Sequence, residues 1–393
     1  MAISSVCLIS FSNIAVDGRI RRHGDLLHRL GVQVHGVGLS GPAAAVAPQW
    51  PIDTIDDAPW DTREVVAQAL QLALSRPLPG SAAQTYWRSK RFQAMYAAAA
   101  PVQADLYVAN DWNTLPIAAR LAHQHGSRYA YDTHEYAVEE KADRLKWRLV
   151  WPPYLRALEG ALMPGAAYIT TVSDGIAALL QTDHQLPTRP VVIRNAPAYV
   201  QTALHEPADP LVVLFHGGLH QDRGLEQLIA SVPLWSRGQR LLIRGNGAAD
   251  YIERLKALAA ASPAADRIVF EPAVAPGEVV TAANASADIG IHPMPAVSNQ
   301  TRFALPNKFF EYTMAGLALC VLAGTEMGAL VEQHGIGTLM RDSSSEAIAD
   351  AINSMDLAGV RACKQASLEA AKTLAWESEV EKLTALYAGS PIV

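Results

Sequence analysis

The chain has 393 residues, half of them apolar, and a formal net charge of -6. That length suffices for two cores of ordinary domain size, and the acidic balance excludes a nucleic-acid binder, whose phosphate contacts need a net basic surface. Cys7, Cys320 and Cys363 stand far apart, and they read as reduced residues of a cytosolic protein, not as a disulfide framework.

The N-terminal segment lacks a basic region ahead of its short apolar run, so it reads as a first strand and not as a signal peptide. No stretch approaches the roughly 20 apolar residues of a membrane span. Apolar runs at 6–11, 33–39, 105–109, 128–131, 168–172 and 191–193 alternate with helical patterns, which predicts a mostly parallel sheet. The polar, proline-containing segment HEPADP at 205–210 reads as a domain boundary. Beyond it LVVLFHGG, RLLIRGNG, RIVFEP, ADIGIHP and LALCVLAG each precede a helical stretch, a second doubly wound sheet. The expected fold is therefore α/β, with Rossmann-like domains over 1–205 and 206–374.

Open α/β sheets bind ligands at the carboxyl ends of their strands, so the candidates lie just after each run. SNIAVDGRIRR places Asp17, Arg19 and Arg22 after the first strand, either on an acceptor's side or as a solvated helix start. NDWNTLP brings Asp111, with Asn113 equally suited to cap a helix. YDTHEY ends a strand with Asp132, His134 and Glu135. In HGGLHQDRGLEQLI, Gly217 and Gly218 permit close backbone approach and Arg223 precedes a helix, the pattern of a pyrophosphate cradle; an ordinary glycine turn fits it too. RGNGAAD carries Gly245, Asn246 and Gly247, but lacks the further glycine of a dinucleotide fingerprint. Finally, LPNKFFEYTMAGLALCV opens a helix with Lys308 and Glu311 three residues apart on one face. A lysine there neutralises phosphate oxygens, and a glutamate accepts the hydroxyls of a ribose.

This last segment resembles the signature of the GT-B glycosyltransferases, in particular the retaining glycosyltransferase family 4, at Pro306, Asn307, Lys308, Phe310, Glu311, Tyr312, Ala315 and Gly316. The resemblance extends to Gly218, Arg223 and Gly224, to the Asp-x-His-Glu element at Asp132, His134 and Glu135, and to Asp111, Leu115 and Pro116. It implies two domains facing a central cleft, with a closing helix over 375–393 that packs back on the first. It implies donor binding by Gly217, Gly218, Arg223, Gly245, Asn246, Val274, Asn299, Asn307, Lys308 and Glu311. His134, Arg223 and Lys308 would be catalytic, with Asp17, Arg19 and Asp111 on the acceptor side. The family often carries a glutamate eight positions before Glu311, where this chain has Phe303; Asn299 offers a polar contact instead.

The implied reaction is retaining transfer from a UDP-sugar first, or a GDP-sugar second, to a glycan or lipid-linked acceptor in cell-surface polysaccharide or glycolipid assembly. No cofactor is expected: there is no Asp-x-Asp pair, and His123 and His125 point to different faces of a helix. The stretches TYWRSKRFQAMY (85–96) and RLKWRLVWPPYL (144–155) mix cations with aromatic rings. They suit peripheral contact with an anionic membrane, and equally a core-facing amphipathic helix. Two other functions share the architecture, a sugar-nucleotide 2-epimerase, which needs groups for proton transfer, and a non-catalytic sugar-nucleotide binder.

Overall fold

The computed structural model describes residues 3–57, 81–140 and 145–388. The chain divides into two compact units, Met1–Arg194 with Val380–Val393, and Asn195–Glu379. The first holds seven parallel strands: β1 (Ser5–Ile9), β2 (Gln33–Leu39), β3 (Ile52–Ile55), β4 (Leu106–Asn110), β5 (Arg128–Asp132), β6 (Ile169–Thr171) and β7 (Val191–Val192), in the order β3-β2-β1-β4-β5-β6-β7. The second holds six: β8 (Val212–His216), β9 (Arg240–Arg244), β10 (Ile268–Glu271), β11 (Ile289–His292), β12 (Ala318–Leu322) and β13 (Gly337–Met340), in the order β10-β9-β8-β11-β12-β13. In both sheets the chain starts in the middle and winds outward to either side, so the order reverses beside β1 and β8.

Successive side chains of a strand point to opposite faces, and here both faces are covered. Val213, Phe215, Leu241, Ile243, Ile289, Ile291 and Cys320 pack into one core of the second unit. Their neighbours Leu214, Leu242, Leu319 and Val321 pack into another with Phe309, Phe310 and Tyr312. This is why the strands read as continuous apolar runs without alternation. Cys7 and Cys320 are free and buried, and burial pushes the Cys320 thiol up to about 12. It is a packing group, not a nucleophile.

The division at Arg194/Asn195 falls before the expected boundary at 205/206. Residues following Arg194 already belong to the second unit: Ala196 is fully buried in its core, and the Thr202 hydroxyl donates to the Met314 carbonyl at 2.7 Å. The closing helix runs Trp376–Ala388, and only its part from Val380 onward groups with the first unit. There Lys382 Nζ donates to the Val192 carbonyl at 2.9 Å, and the Tyr387 hydroxyl lies 2.6 Å from His23 Nε2. The last residues of the expected 375–393 helix, from 389 on, lie outside the described residues.

Each of the two aromatic stretches buries part of its rings, while Trp87, Tyr96 and Trp151 are half-buried. Tyr86 stacks on Phe92 at 4.1 Å between centroids, and both are buried. Trp147 and Tyr154 are buried on the helix Leu145–Leu162, and Trp151 packs between Trp147, Trp112 and Tyr154. The core-facing alternative accounts for these rings; Arg144 lies outside the described residues. No described helix is long and apolar enough to cross a membrane.

Candidate functional site

In the second unit the site forms at the carboxyl ends of β8, β9 and β11. Gly217 follows β8 with φ 114°, a conformation L side chains rarely adopt. Gly245 follows β9 so closely that a Cβ there would lie 1.9 Å from the Gly217 carbonyl oxygen. The two strand ends meet backbone to backbone, which only glycine permits. Leu219 N–H donates to the Asn246 carbonyl at 2.9 Å and extends the contact. Gly218 is exposed, and a Cβ on it would meet the His220 ring.

The helix Asn307–Met314 starts after Pro306, whose extended backbone ends the preceding loop. Phe309, Phe310 and Tyr312 bury one face of it. Lys308 is drawn in with them: it is only 9% exposed, its Nζ stands 4.0 Å above the Phe215 ring, and it has no ion-pair partner among the described residues. Burial, with the Arg223 guanidinium nearby, lowers its pKa to about 7 against the opposing pull of Glu311 and Asp222. Glu311, on the same helix, has Oε2 2.9 Å from His216 Nε2. Arg223 ends the turn Gln221–Arg223; among the described residues its Nη1 reaches only the Met294 sulfur, at 3.3 Å, and Asp222 stands 3.9 Å from its Nε. Lys308 thus lies against Gly217, where a Cβ would stand 3.6 Å from its Nζ, with the Arg223 guanidinium near enough to act on its charge. Val274 and Asn299 sit on separate loops of the same unit, Val274 after β10 and Asn299 at the start of the helix Asn299–Phe303.

In the first unit β4 and β5 end on a charged network. Asp132 accepts from Arg19 Nε at 2.7 Å and Nη2 at 2.6 Å, and from the Thr170 hydroxyl at 2.7 Å. Arg19 Nη1 donates to the Ile193 carbonyl at 2.7 Å, and Arg19 is 6% exposed. Its expected place on the acceptor side is therefore corrected: every nitrogen of the guanidinium is engaged inside the unit, and its role is to hold Asp132. Asp17, also expected there, caps the helix Gly18–Arg29 by accepting from the Arg19 and Ile20 N–H groups. Asp111, in the left-handed region at φ 69°, lies beside His134. Its Oδ2 lies 3.6 Å from His134 Nδ1, while Asp132 Oδ2 lies 3.3 Å from Nε2.

His134 sits between two carboxylates. Burial alone would lower its pKa, but Asp111 and Asp132 outweigh it and raise the value from 6.5 to about 9. The imidazole is charged at neutral pH and donates only. A folded-state pKa above the unfolded one means that stability from this group is complete below pH 6.5 and is lost as pH rises through about 9. His134→Gln should accordingly flatten the fall of unfolding free energy between these limits, measured by urea titrations at several pH values. An unchanged slope would refute the charged imidazole.

Family models match both halves of the chain: "Glycosyl transferase 4-like domain" over residues 18–196 and "Glycosyl transferases group 1" over residues 210–355. The chain belongs to the GT4-like glycosyltransferases. No curated protein matches it. Among solved structures, sucrose-phosphate synthase from Thermosynechococcus elongatus is similar at 17% identity and a TM-score of 0.71, with 98% of each chain covered. HepE from Anabaena, in complex with UDP and glucose, is similar at 13% and 0.68, covering 98% of this chain and 100% of that one. WaaG, a glycosyltransferase involved in lipopolysaccharide biosynthesis, is similar at 16% and 0.67, with 98% and 100% covered. At these identities the likeness is one of fold, the GT-B architecture.

Two histidines of this glycosyltransferase escaped the sequence reading. His216 and His292 are the last residues of β8 and β11, both buried. A polar residue closing an apolar run, as in VVLFH and IGIH, was the available signal. Among the described residues no group of three or more His, Cys, Asp or Glu is placed to hold a metal ion.

Proposed function

We propose that the protein transfers a glycosyl group from a nucleotide diphosphate sugar, UDP-linked first and GDP-linked second, to a glycan or lipid-linked acceptor, with retention of configuration and without a metal. The observation that carries this reading is the buried, unpaired Lys308 beside Arg223 and Gly217, with Glu311 on the same helix. A diphosphate supplies the missing negative charge, and cations fixed before it arrives stabilise the further charge that develops as the glycosyl bond breaks. Glu311, half-buried one turn along the helix from Lys308, suits the ribose hydroxyls. HepE has been solved with UDP and with UDP-glucose, which supports the donor class. A hexosyl or N-acetylhexosaminyl group fits the reading, with Phe303 in place of the usual glutamate. The charged His134, oriented by Asp111 and Asp132, is assigned to the transferred sugar. Cell-surface polysaccharide or glycolipid assembly is the proposed setting, on the cytoplasmic side of the membrane.

Calorimetric titration with UDP, GDP and ADP, each with and without EDTA, tests the proposal. One nucleotide should bind in preference to the others, with the same affinity in EDTA. Loss of binding on chelation would overturn metal independence, and no binding of any of the three would overturn the donor site.

A further inference from the structure

Arg223 and Lys308 are the basic groups that the sequence marks, yet the structure places a third beside them. His292 ends β11 and is 2% exposed, and neither Nδ1 nor Nε2 has a hydrogen-bond partner among the described residues. Buried polar side chains are almost always bonded, because an unmet donor or acceptor away from water carries its full desolvation cost. An imidazole with both nitrogens unmet is therefore out of place as a packing residue.

Its surroundings indicate what is missing. The residues that follow it run directly along the phosphate-binding loop: a Cβ on Gly224 would lie 2.5 Å from the Pro293 carbonyl oxygen, and the Met294 sulfur contacts Arg223 Nη1. The charged groups facing the ring are Lys308 and Arg223, and both, after burial itself, hold it well below the ordinary histidine range. The carboxylates that act on Lys308 are Glu311, whose Oε2 stands 2.9 Å from His216 Nε2, and Asp222, largely exposed beside Arg223. Three basic side chains gathered beside the ends of β8 and β11, two of them buried and without a partner among the described residues, lack an anion and not a fourth protein group. A neutral imidazole can still donate one N–H to that anion, and adds no repulsion to the site while it is empty.

We infer that His292 is a third phosphate-binding residue of this site, donating an imidazole N–H to the diphosphate beside Arg223 and Lys308. The inference rests on the reading that the site takes a nucleoside diphosphate. It extends the phosphate contacts to a residue outside both the glycine loop and the Lys308 helix.

The test is calorimetric titration of wild type, His292→Leu and His292→Asn with inorganic pyrophosphate and with whichever of UDP, GDP or ADP the wild type binds. His292→Leu keeps the volume and removes the donor, so it should lose about tenfold or more for both ligands, while the thermal midpoint of the free protein holds or rises. His292→Asn retains an N–H donor and should recover part of the loss. Binding by His292→Leu within twofold of wild type overturns the inference, and so does an equal loss in both variants with a lowered midpoint, which marks a packing role. Wild type that binds none of the nucleotides overturns the donor-site reading itself, and the inference falls with it.

Discussion

Lys308→Met should weaken nucleotide diphosphate binding by about ten- to a hundredfold and at the same time raise the stability of the free protein. The first effect follows from removing a charge-assisted contact to phosphate, worth about 1.5–3 kcal/mol. The second follows from where the lysine sits. Its pKa falls from 10.5 in the unfolded chain to about 7 in the fold, so between these values the unfolded state binds more protons, and the fold gains stability as pH rises. Methionine keeps an apolar stem over Phe215 without a charge to desolvate. Titration calorimetry and thermal melts on the same samples read both effects. A purely structural lysine would give the reverse pattern, lower stability with intact binding, and that result would sink the site.

Arg19→Ala should cost about 3–5 kcal/mol of unfolding free energy, because it strands the Asp132 carboxylate in the interior. Asp132 is held well below the usual carboxylate range against its own burial, chiefly by Arg19 and then by His134. Without the guanidinium it keeps only Thr170 and the imidazole. Urea denaturation near neutral pH measures the loss. Adding Asp132→Asn to the Arg19 variant should restore part of it, since an amide tolerates the interior better than a lone charge. A cost under about 1 kcal/mol for Arg19→Ala would show that the pair is not a fixed part of the first unit.

The same pair marks where the sequence stops being readable. Lys308 and Glu311 were legible because one helical turn sets their relation, and the glycines because they follow an apolar run directly. The bonding of Arg19 to Asp132 joins positions 113 residues apart, and no local spacing encodes it. Reading Arg19 toward an acceptor was sound by position along the chain and wrong by burial. Most strands were visible as buried apolar runs. The edge strands β3, IDTI, and β13, GTLM, each give half of their four residues to polar residues or glycine, which leaves no apolar run to read. The HEPADP segment had a linker's composition, yet the residues before it were already committed to the second unit by Ala196 and Thr202. Composition locates polar chain; packing locates boundaries.

The contact of Gly217 with Gly245 also limits how such a protein can diversify. Any side chain at Gly245 collides with the Gly217 carbonyl, and Gly217 holds a φ that L side chains rarely adopt, so that wall of the site is closed to mutational exploration. New ligand preferences in descendants of this sequence must then arise on segments such as 295–304, none of whose residues is buried and where side chains can be exchanged without displacing the strands.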